Sequence, residues 1–596
     1  MSLLFSHQEV REGQGPVLKK MYQSFLEDDT LLVEAPTGLG KTACSISAAL
    51  SVALEKGGTV IFVTNRQTQH QIAVETVSAL KEKYELDFSV VDLYGKKSLC
   101  NHPVEKLSQQ EFTEFCKQMV AAKTCEYYTN VYDNRGPTLD AEHALSTINT
   151  ENIVGAENLK RYADSLGLCA YEITSLQLKN AKVVIADYNH VFHPSINRTL
   201  LKRLGKSWSD LYLIVDEAHN LAERCMRILS QKMNSQIIQY AIKEADRYEL
   251  SQSKEYLEKV FKALYVLSSE EEELLHPDDL TALLPPLTEM LQTFDSATEF
   301  VYTKQRRSFI NSVAEFLRLW VQDGSEFVRS IVDDGLVRIE VNCVHPGSLI
   351  VPVTQGVRST VFMSATLQPA QFHQHMLGLP NVEHAHFSSP FPRENRQILI
   401  DDTISTEFKL RTEEHYKELA LRIQNIVSIV PGRSAIFFPS YHYIDKVVPL
   451  LSVKTIVEKP GLSLSNKRNL FNSFTSIDKG VLCAVNGGSF SEGVDFDGDK
   501  LKCVIICGVP LQPPSKKMQY IQSYYKHHFG EGWTYAFLFP AMNRCIQSAG
   551  RCIRSAKDKG SIIYLDRRFA RDPYRSCLND SHLHEDLLQT INQFWG

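Results

Sequence analysis

The stretch Leu31-Leu32-Val33-Glu34-Ala35-Pro36-Thr37-Gly38-Leu39-Gly40-Lys41-Thr42 limits what this chain can fold into more than any other. Its apolar run reads as a buried strand, a glycine-containing turn follows, and Lys-Thr opens a helix that runs to about Leu54. Strand, loop and helix in that order are what a phosphate-binding loop needs. Small residues let backbone N–H groups converge on phosphate oxygens, and the helix N-terminus adds partial positive charge. In such a loop Lys41 reaches the terminal phosphates and the Thr42 hydroxyl ligates Mg²⁺. The first position holds Ala35 where Gly is usual. The competing reading is an ordinary strand–turn–helix whose glycines merely turn the chain; Lys-Thr directly after Gly40 tells against it.

At 596 residues the chain exceeds what one core can serve, so three or four domains are expected. Hydrophobic content of 43% and charged content of 22% are those of a soluble globular protein. No apolar run approaches the roughly 20 residues of a membrane span. Met1 to Val10 lacks the charged and apolar regions of a signal peptide. No membrane partner is expected, and the place to look is intracellular: cytoplasmic, or associated with the nucleoid. A net charge of −6 does not announce a nucleic-acid partner, so any such binding must use a local groove. Thirteen cysteines without an export signal argue for core thiols or a metal site over a disulfide framework.

Along the chain, short apolar runs alternate with helical patterns over residues 1–94, the signature of a parallel sheet flanked by helices. The pattern breaks at 95–174, where strand-like runs thin out and Cys and Tyr become frequent. It resumes over 175–220 with Lys182–Ala186 and Leu211–Val215. Residues 221–344 show almost no strand signal, and Tyr256, Leu257, Val260, Phe261, Leu264 and Tyr265 recur at helical spacing, so this segment is expected to be all helical. Within it Glu270–Glu273 is a charge run expected to be solvated. Strand character returns over 345–388 with Ser359–Met363. A second α/β region fills 389–596, with strands at Ser434–Phe438, Val481–Ala484, Cys503–Cys507 and Ile562–Leu565. The fold class is thus α/β: two parallel-sheet domains, the first interrupted twice.

Asp216 and Glu217 follow an apolar strand, at the carboxyl edge where ligands of open α/β sheets bind. One carboxylate there holds Mg²⁺ and the other orients the water that attacks a γ-phosphate. In the second α/β region, Gln547, Arg551 and Arg554 would share one face if the segment is helical. Two guanidiniums facing a triphosphate would stabilise charge on the transferring group. Cys100, Cys116, Cys125 and Cys169 lie in the first interruption, with no Cys-x-x-Cys pair to suggest structural zinc. From spacing alone, metal ligation and buried free thiols both stay open. The other nine cysteines sit on apolar strand or helix patterns and are expected in cores. Thr64 and Arg66 follow a strand end and are candidates to grip phosphates. Phe112, Tyr127, Tyr128 and Tyr171 are candidates to stack on unpaired bases. Lys96, Lys97, Lys516, Lys517, Arg567 and Arg568 are small basic clusters with solvated or core roles as the plain alternative.

Taken together these motifs resemble the iron–sulfur XPD group of superfamily-two helicases, with its relatives DinG and FANCJ, and the resemblance is closest to the archaeal members in size. Arg11 and Gln14 match the adenine-recognising element, and Ala35, Pro36, Thr37, Gly38, Leu39, Gly40, Lys41 and Thr42 match the nucleotide loop. Asp216 to His219 match the Asp-Glu-Ala-His box and Ser364-Ala365-Thr366 the coupling motif. Phe437–Tyr441 and Gly487–Asp495 match motifs of the second domain, Asp495 falling among the nucleotide-binding positions. The resemblance implies two RecA-like motor domains (1–94 with 175–220 and 345–388; 389–596), a cluster domain at 95–174 and an arch at 221–344. It implies ATP and Mg²⁺ as cofactors and a [4Fe–4S] cluster on the four cysteines. It also implies 5′-to-3′ motion on single-stranded and forked DNA, a DNA-repair setting of the nucleotide-excision type, and repair or transcription proteins as possible partners of a monomer. Two other readings stand beside it: a helicase for RNA or other structures with a zinc-bound or vestigial insertion, and a catalytically silent scaffold that binds damaged DNA.

Overall fold

Short runs of β-branched and apolar residues build two sheets that organise most of the chain. The computed structural model describes residues 3–388, 392–492, 496, 501–553, 558–578, 581–583 and 586–596. The first sheet orders its strands Glu383–His386, Thr30–Glu34, Ser359–Ser364, Leu211–Asp216, Thr59–Thr64, Ala181–Asp187 and Ser89–Asp92, all parallel. Leu211–Asp216 and Thr59–Thr64 are buried along their whole length, as strands covered by helices on both faces must be. Register decides the function of this sheet. Glu34 pairs with Ser364, and Met363 with Asp216, so the nucleotide loop, the coupling motif and the acid pair leave the same carboxyl edge from adjacent strands. The helix Lys41–Lys56 buries every residue from Thr42 to Ala53; its Ala and Ser positions let it lie flat between the sheet and the helix Gln14–Leu26.

The second sheet orders Thr455–Val457, Val481–Val485, Ser434–Phe438, Cys503–Cys507, Gly560–Leu565, Arg396–Asp401 and His582–Leu583, again parallel. The strands named from sequence are present in both sheets. The strands Ser89–Asp92, Glu383–His386, Arg396–Asp401 and Thr455–Val457 were not among them. They are short or polar and sit toward the sheet edges, where one-sided burial leaves little apolar pattern.

The expectation that 221–344 is all helical is wrong. Its helices pack around a four-stranded antiparallel sheet of order Gln231–Asn234, Val337–Cys343, Phe327–Asp333 and Glu273–Leu275. Val337–Cys343 alternates buried and less buried residues, the period-two signal of a one-sided strand, but charged Arg338 and Glu340 on its outer face mask it in composition. The acid run is solvated at Glu270 and Glu271, but its last two residues are paired. Glu273 pairs with Lys516 at 2.7 Å, and Glu272 accepts from the Lys517 backbone N–H at 2.9 Å. Lys517 Nζ reaches Glu340 at 2.9 Å. The helix Lys516–Phe529 of the second α/β region is thereby docked onto this small sheet, with both lysines in ion pairs. Arg568 is likewise committed, to buried Asp566 at 2.8 Å.

Residues 95–174 form short helices around a small core, much of it alanine (Ala141, Ala144, Ala156, Ala163, Ala170). This insertion touches the helical one, where the Gln118 side chain donates to the Tyr302 carbonyl and the Arg306 guanidinium lies 4.8 Å over the Phe115 ring. Among the described residues no helix is long and apolar enough to cross a membrane.

Candidate active site and cysteine cavity

The nucleotide loop turns through Gly38 and Gly40, both at φ +83°, a conformation that side-chain-bearing residues rarely adopt. At Gly40 the reason is also spatial, since a Cβ there would lie 2.5 Å from Gln14 Nε2. Gln14 is buried and holds the loop: its Nε2 donates to the Leu39 carbonyl at 3.0 Å while its Oε1 accepts from the Arg11 N–H at 2.9 Å. Lys41 folds back to donate to the Ala35 carbonyl at 2.8 Å and the Pro36 carbonyl at 3.2 Å. Those carbonyls keep the ammonium at the mouth of the loop, where a triphosphate would exchange for them.

Asp216 and Glu217 stand at the end of their strand, Glu217 in the left-handed region at φ +51°. A non-glycine residue held there costs of order 1 kcal/mol and persists only where its surroundings fix it. Here the buried Tyr188 fixes it, donating its hydroxyl to the carbonyls of Asp216 and, at 2.9 Å, of Glu217. Sequence reasoning missed Tyr188; it follows Asp187 at the end of the Ala181–Asp187 strand, two strands away from the acid pair it supports.

Thr64 and Arg66, expected on DNA, stand against the acid pair. Thr64 is fully buried with its hydroxyl 3.5 Å from Asp216 Oδ2, and Arg66 pairs with Glu217 Oε1 at 3.1 Å. The reason is register: Val63 pairs with Val215, so the residues following both strands converge. Burial and the neighbouring Glu217 carboxylate push Asp216 up from the ordinary carboxylate range. Burial would push Glu217 up too, but the charges of Arg66, Lys41 and Arg551 outweigh it and hold Glu217 down as a carboxylate. Burial pushes His219 down to about 4, leaving it neutral, and its Nδ1 meets Ser364 Oγ at 2.5 Å. That contact joins the acid box to the coupling motif.

The second sheet supplies Arg551. Its Nε donates to the Ser491 carbonyl at 2.8 Å, and its charge is one of those that hold Glu217 down. The shared helical face expected for Gln547 and Arg551 does not form. The helix Phe539–Ala549 ends at Gly550, so Arg551 enters from a turn. Gly550 has ordinary helical φ, and no close approach depends on it. Gln547 lines a cavity with His219, whose Nε2 has no hydrogen-bond partner among the described residues. Arg554 and Asp495 lie outside the described residues. Between the sheets a cavity of about 600 Å³ has Pro36, Thr37 and Thr366 on one side and Ile546, Gly550 and Tyr564 on the other.

Cys100, Cys116, Cys125 and Cys169 line one cavity in the 95–174 insertion. Burial raises the thiols of Cys100, Cys116 and Cys169, the last to about 11. Among the described residues no group of three or more His, Cys, Asp or Glu is gathered tightly enough to hold a metal ion. The other nine cysteines are buried, as expected of core residues. Tyr127 and Tyr128 are half-buried on the wall of this cavity. Phe112 is 1% exposed and cannot stack on a base. Tyr171 carries Lys96 and Arg203 against its ring at 5.1 and 4.9 Å, and Arg203 also donates to its hydroxyl at 2.8 Å.

A profile of the DEAD_2 family matches residues 63–238, and one of the helicase C-terminal domain matches 423–583. The chain is 22% identical to the ATP-dependent DNA helicase XPD of Sulfolobus acidocaldarius, over 96% of this chain and 98% of that one. It is 21% identical to the general transcription and DNA repair factor IIH helicase subunit XPD/RAD3 of Saccharomyces cerevisiae, over 91% and 84%. Among solved structures, one titled XPD helicase superposes with a TM-score of 0.72 at 20% identity, covering 97% of this chain and all of that one. An apo XPD structure superposes at 0.62 and 17%, covering 96% and all of it.

Proposed function

The chain belongs to the XPD family of helicases, and from that premise we propose that it is an ATP-driven DNA helicase that moves 5′ to 3′ on single strands and opens duplex. The observation that carries the reading is the acid pair: Glu217 is held down as a carboxylate with Arg66 at 3.1 Å, on the same sheet edge that the nucleotide loop and the coupling motif leave from adjacent strands. Glu217 is a carboxylate in position to orient and polarise the attacking water, and its left-handed backbone, held by Tyr188, keeps it there. Lys41 would leave the Ala35 and Pro36 carbonyls for the β- and γ-phosphates. Mg²⁺, held by Thr42 and Asp216, would neutralise charge on those oxygens. Because Arg551 comes from the second sheet, hydrolysis depends on closure of the cleft, and the Ser364–His219 contact passes the state of the acid pair to the coupling motif.

The donor set of the 95–174 insertion fits a [4Fe–4S] cluster: four thiols line one cavity, and N–H groups are directed at their sulfurs. Bound there, the cluster would cross-link four segments of an insertion whose own core is small. The meeting of this insertion with the helical one supports a path for one DNA strand framed by both. DNA repair is the setting that fits.

Forked duplexes carrying only a 5′ or only a 3′ tail test the reading. With ATP, the 5′-tailed duplex should open and single-stranded DNA should stimulate hydrolysis. Hydrolysis indifferent to DNA, or opening from the 3′ tail alone, would overturn it.

A further inference from the structure

His102 lies on the wall of the cysteine cavity and touches none of the nucleotide machinery. Its Nε2 is 3.5 Å from the Cys125 sulfur, and its backbone N–H donates to the Cys100 sulfur. One residue thereby serves two of the four cysteines, which come from different segments of the insertion. The other two have donors of their own. Lys96 bonds to Cys116, and the N–H groups of Tyr171 and Glu172, at the start of the helix Ala170–Gln177, point at Cys169.

The His102 ring is not free to turn away. Phe115 and Tyr127 stand edge-on to it, with centroids at 5.8 and 5.2 Å. These two aromatics, from the helix Gln109–Ala121 and the turn Glu126–Thr129, fix an imidazole that otherwise has no evident task. A neutral thiol gains little from such a donor. A thiolate bound to iron keeps much of its negative charge and accepts an N–H bond well, and that bond becomes stronger as the iron is reduced.

We infer that His102 is a positioning residue for the cluster: its Nε2–H donates to the Cys125 thiolate, holds that ligand in place and raises the cluster's reduction potential. The inference rests on the cluster reading of the four cysteines given above. It requires the tautomer with the proton on Nε2. Hydrogen bonds to cluster sulfurs favour the electron-richer form, so losing this one shifts the potential to more negative values.

The test uses the full chain, purified anaerobically, as wild type, His102→Ala and His102→Gln. The glutamine places an amide N–H about where Nε2 stands. Iron and acid-labile sulfide are counted first. The midpoint potential is then taken by spectroelectrochemical titration, and the rate of bleaching in air from the visible absorption. His102→Ala should have a more negative potential and bleach several-fold faster, with His102→Gln close to wild type. If His102→Ala loses iron while His102→Gln keeps it, the donor role is supported equally. Full iron with unchanged potential and bleaching in His102→Ala would overturn the inference and leave the cluster reading standing. Equal iron loss in both variants would also overturn it, because ring packing rather than the donor would then be what matters. A wild type without iron would remove the cluster reading, and this inference with it.

Discussion

The nucleotide cleft and the cysteine cavity each gather reactive side chains, in opposite ways. In the cleft the charged groups already satisfy one another: Lys41 rests on two carbonyls, Glu217 on Arg66, Gln14 on Leu39 and His219 on Ser364. The surrounding sheet is deep and its core is large. In the cavity four thiols line one space, three of them raised by burial, inside an insertion with a small alanine-rich core. The difference teaches which part waits for a ligand to act and which part waits for one to be stable. A cleft that is folded before nucleotide arrives can bind and release it in every cycle. A cavity whose cysteines come from separate segments of the insertion gains rigidity from whatever bridges them.

The sharpest way to break this contrast is in the cleft. Glu217→Gln should lower the rate of ATP hydrolysis by roughly 10²- to 10⁴-fold, as loss of a catalytic base does, while nucleotide affinity and melting temperature change little. A large fall in melting temperature would mean the cleft is not self-supporting. On the other side, Cys125→Ser should release iron and open residues 95–174 to protease while the first sheet stays protected. Duplex opening should be lost and part of the ATPase kept. Protection of the insertion in that variant would show that its own core suffices.

Tyr188→Phe removes the one hydroxyl proton shared between the carbonyls of Asp216 and Glu217, which holds Glu217 in its left-handed conformation. At about 1 kcal/mol, its loss should cost roughly 5-fold in the hydrolysis rate with little change in KM. The smallest effect separates acid sensitivity from both sites. His373 is buried beside Asn543 where the two α/β regions meet, and burial together with nearby His219 pushes it down to about 3. It stays neutral in the folded chain but charges in the unfolded one, so its contribution is intact above pH 6.5 and declines as pH falls below that value. At pH 5 the loss is about 2 kcal/mol. Urea melts at pH 7.5 and 5 should show that much less acid sensitivity in His373→Asn than in wild type.

Much of the fold was legible because buried parallel strands are continuous apolar runs, and the loop at Ala35–Thr42 and the box at Asp216–His219 follow two of them directly. What escaped depends on register and on neighbours distant in sequence. Thr64 and Arg66 looked like free polar residues after a strand; only the pairing of Val63 with Val215 shows that they face the acid pair. Tyr188 supports Glu217 from 29 residues away, with no local pattern to betray it. The helical face proposed for Gln547 and Arg551 assumed that a helix crosses Gly550, and the chain stops it there. The small sheet of 221–344 was hidden by charged residues on its outer face, and the acid run at Glu272 and Glu273 by partners more than 240 residues away. The four cysteines could be grouped only by resemblance, since none of their spacings implies that they line one cavity.

Amide hydrogen exchange, followed by mass spectrometry, tests the contrast most directly on the anaerobically purified chain before and after iron is stripped, each with and without a non-hydrolysable ATP analogue. Stripping should speed exchange through residues 95–174 and leave the strands Thr30–Glu34 and Leu211–Asp216 unchanged, while the analogue should slow exchange around Ala35–Thr42 without altering the rest. Unchanged exchange in the insertion after iron is removed, or a first sheet that exchanges freely until nucleotide binds, would contradict the account.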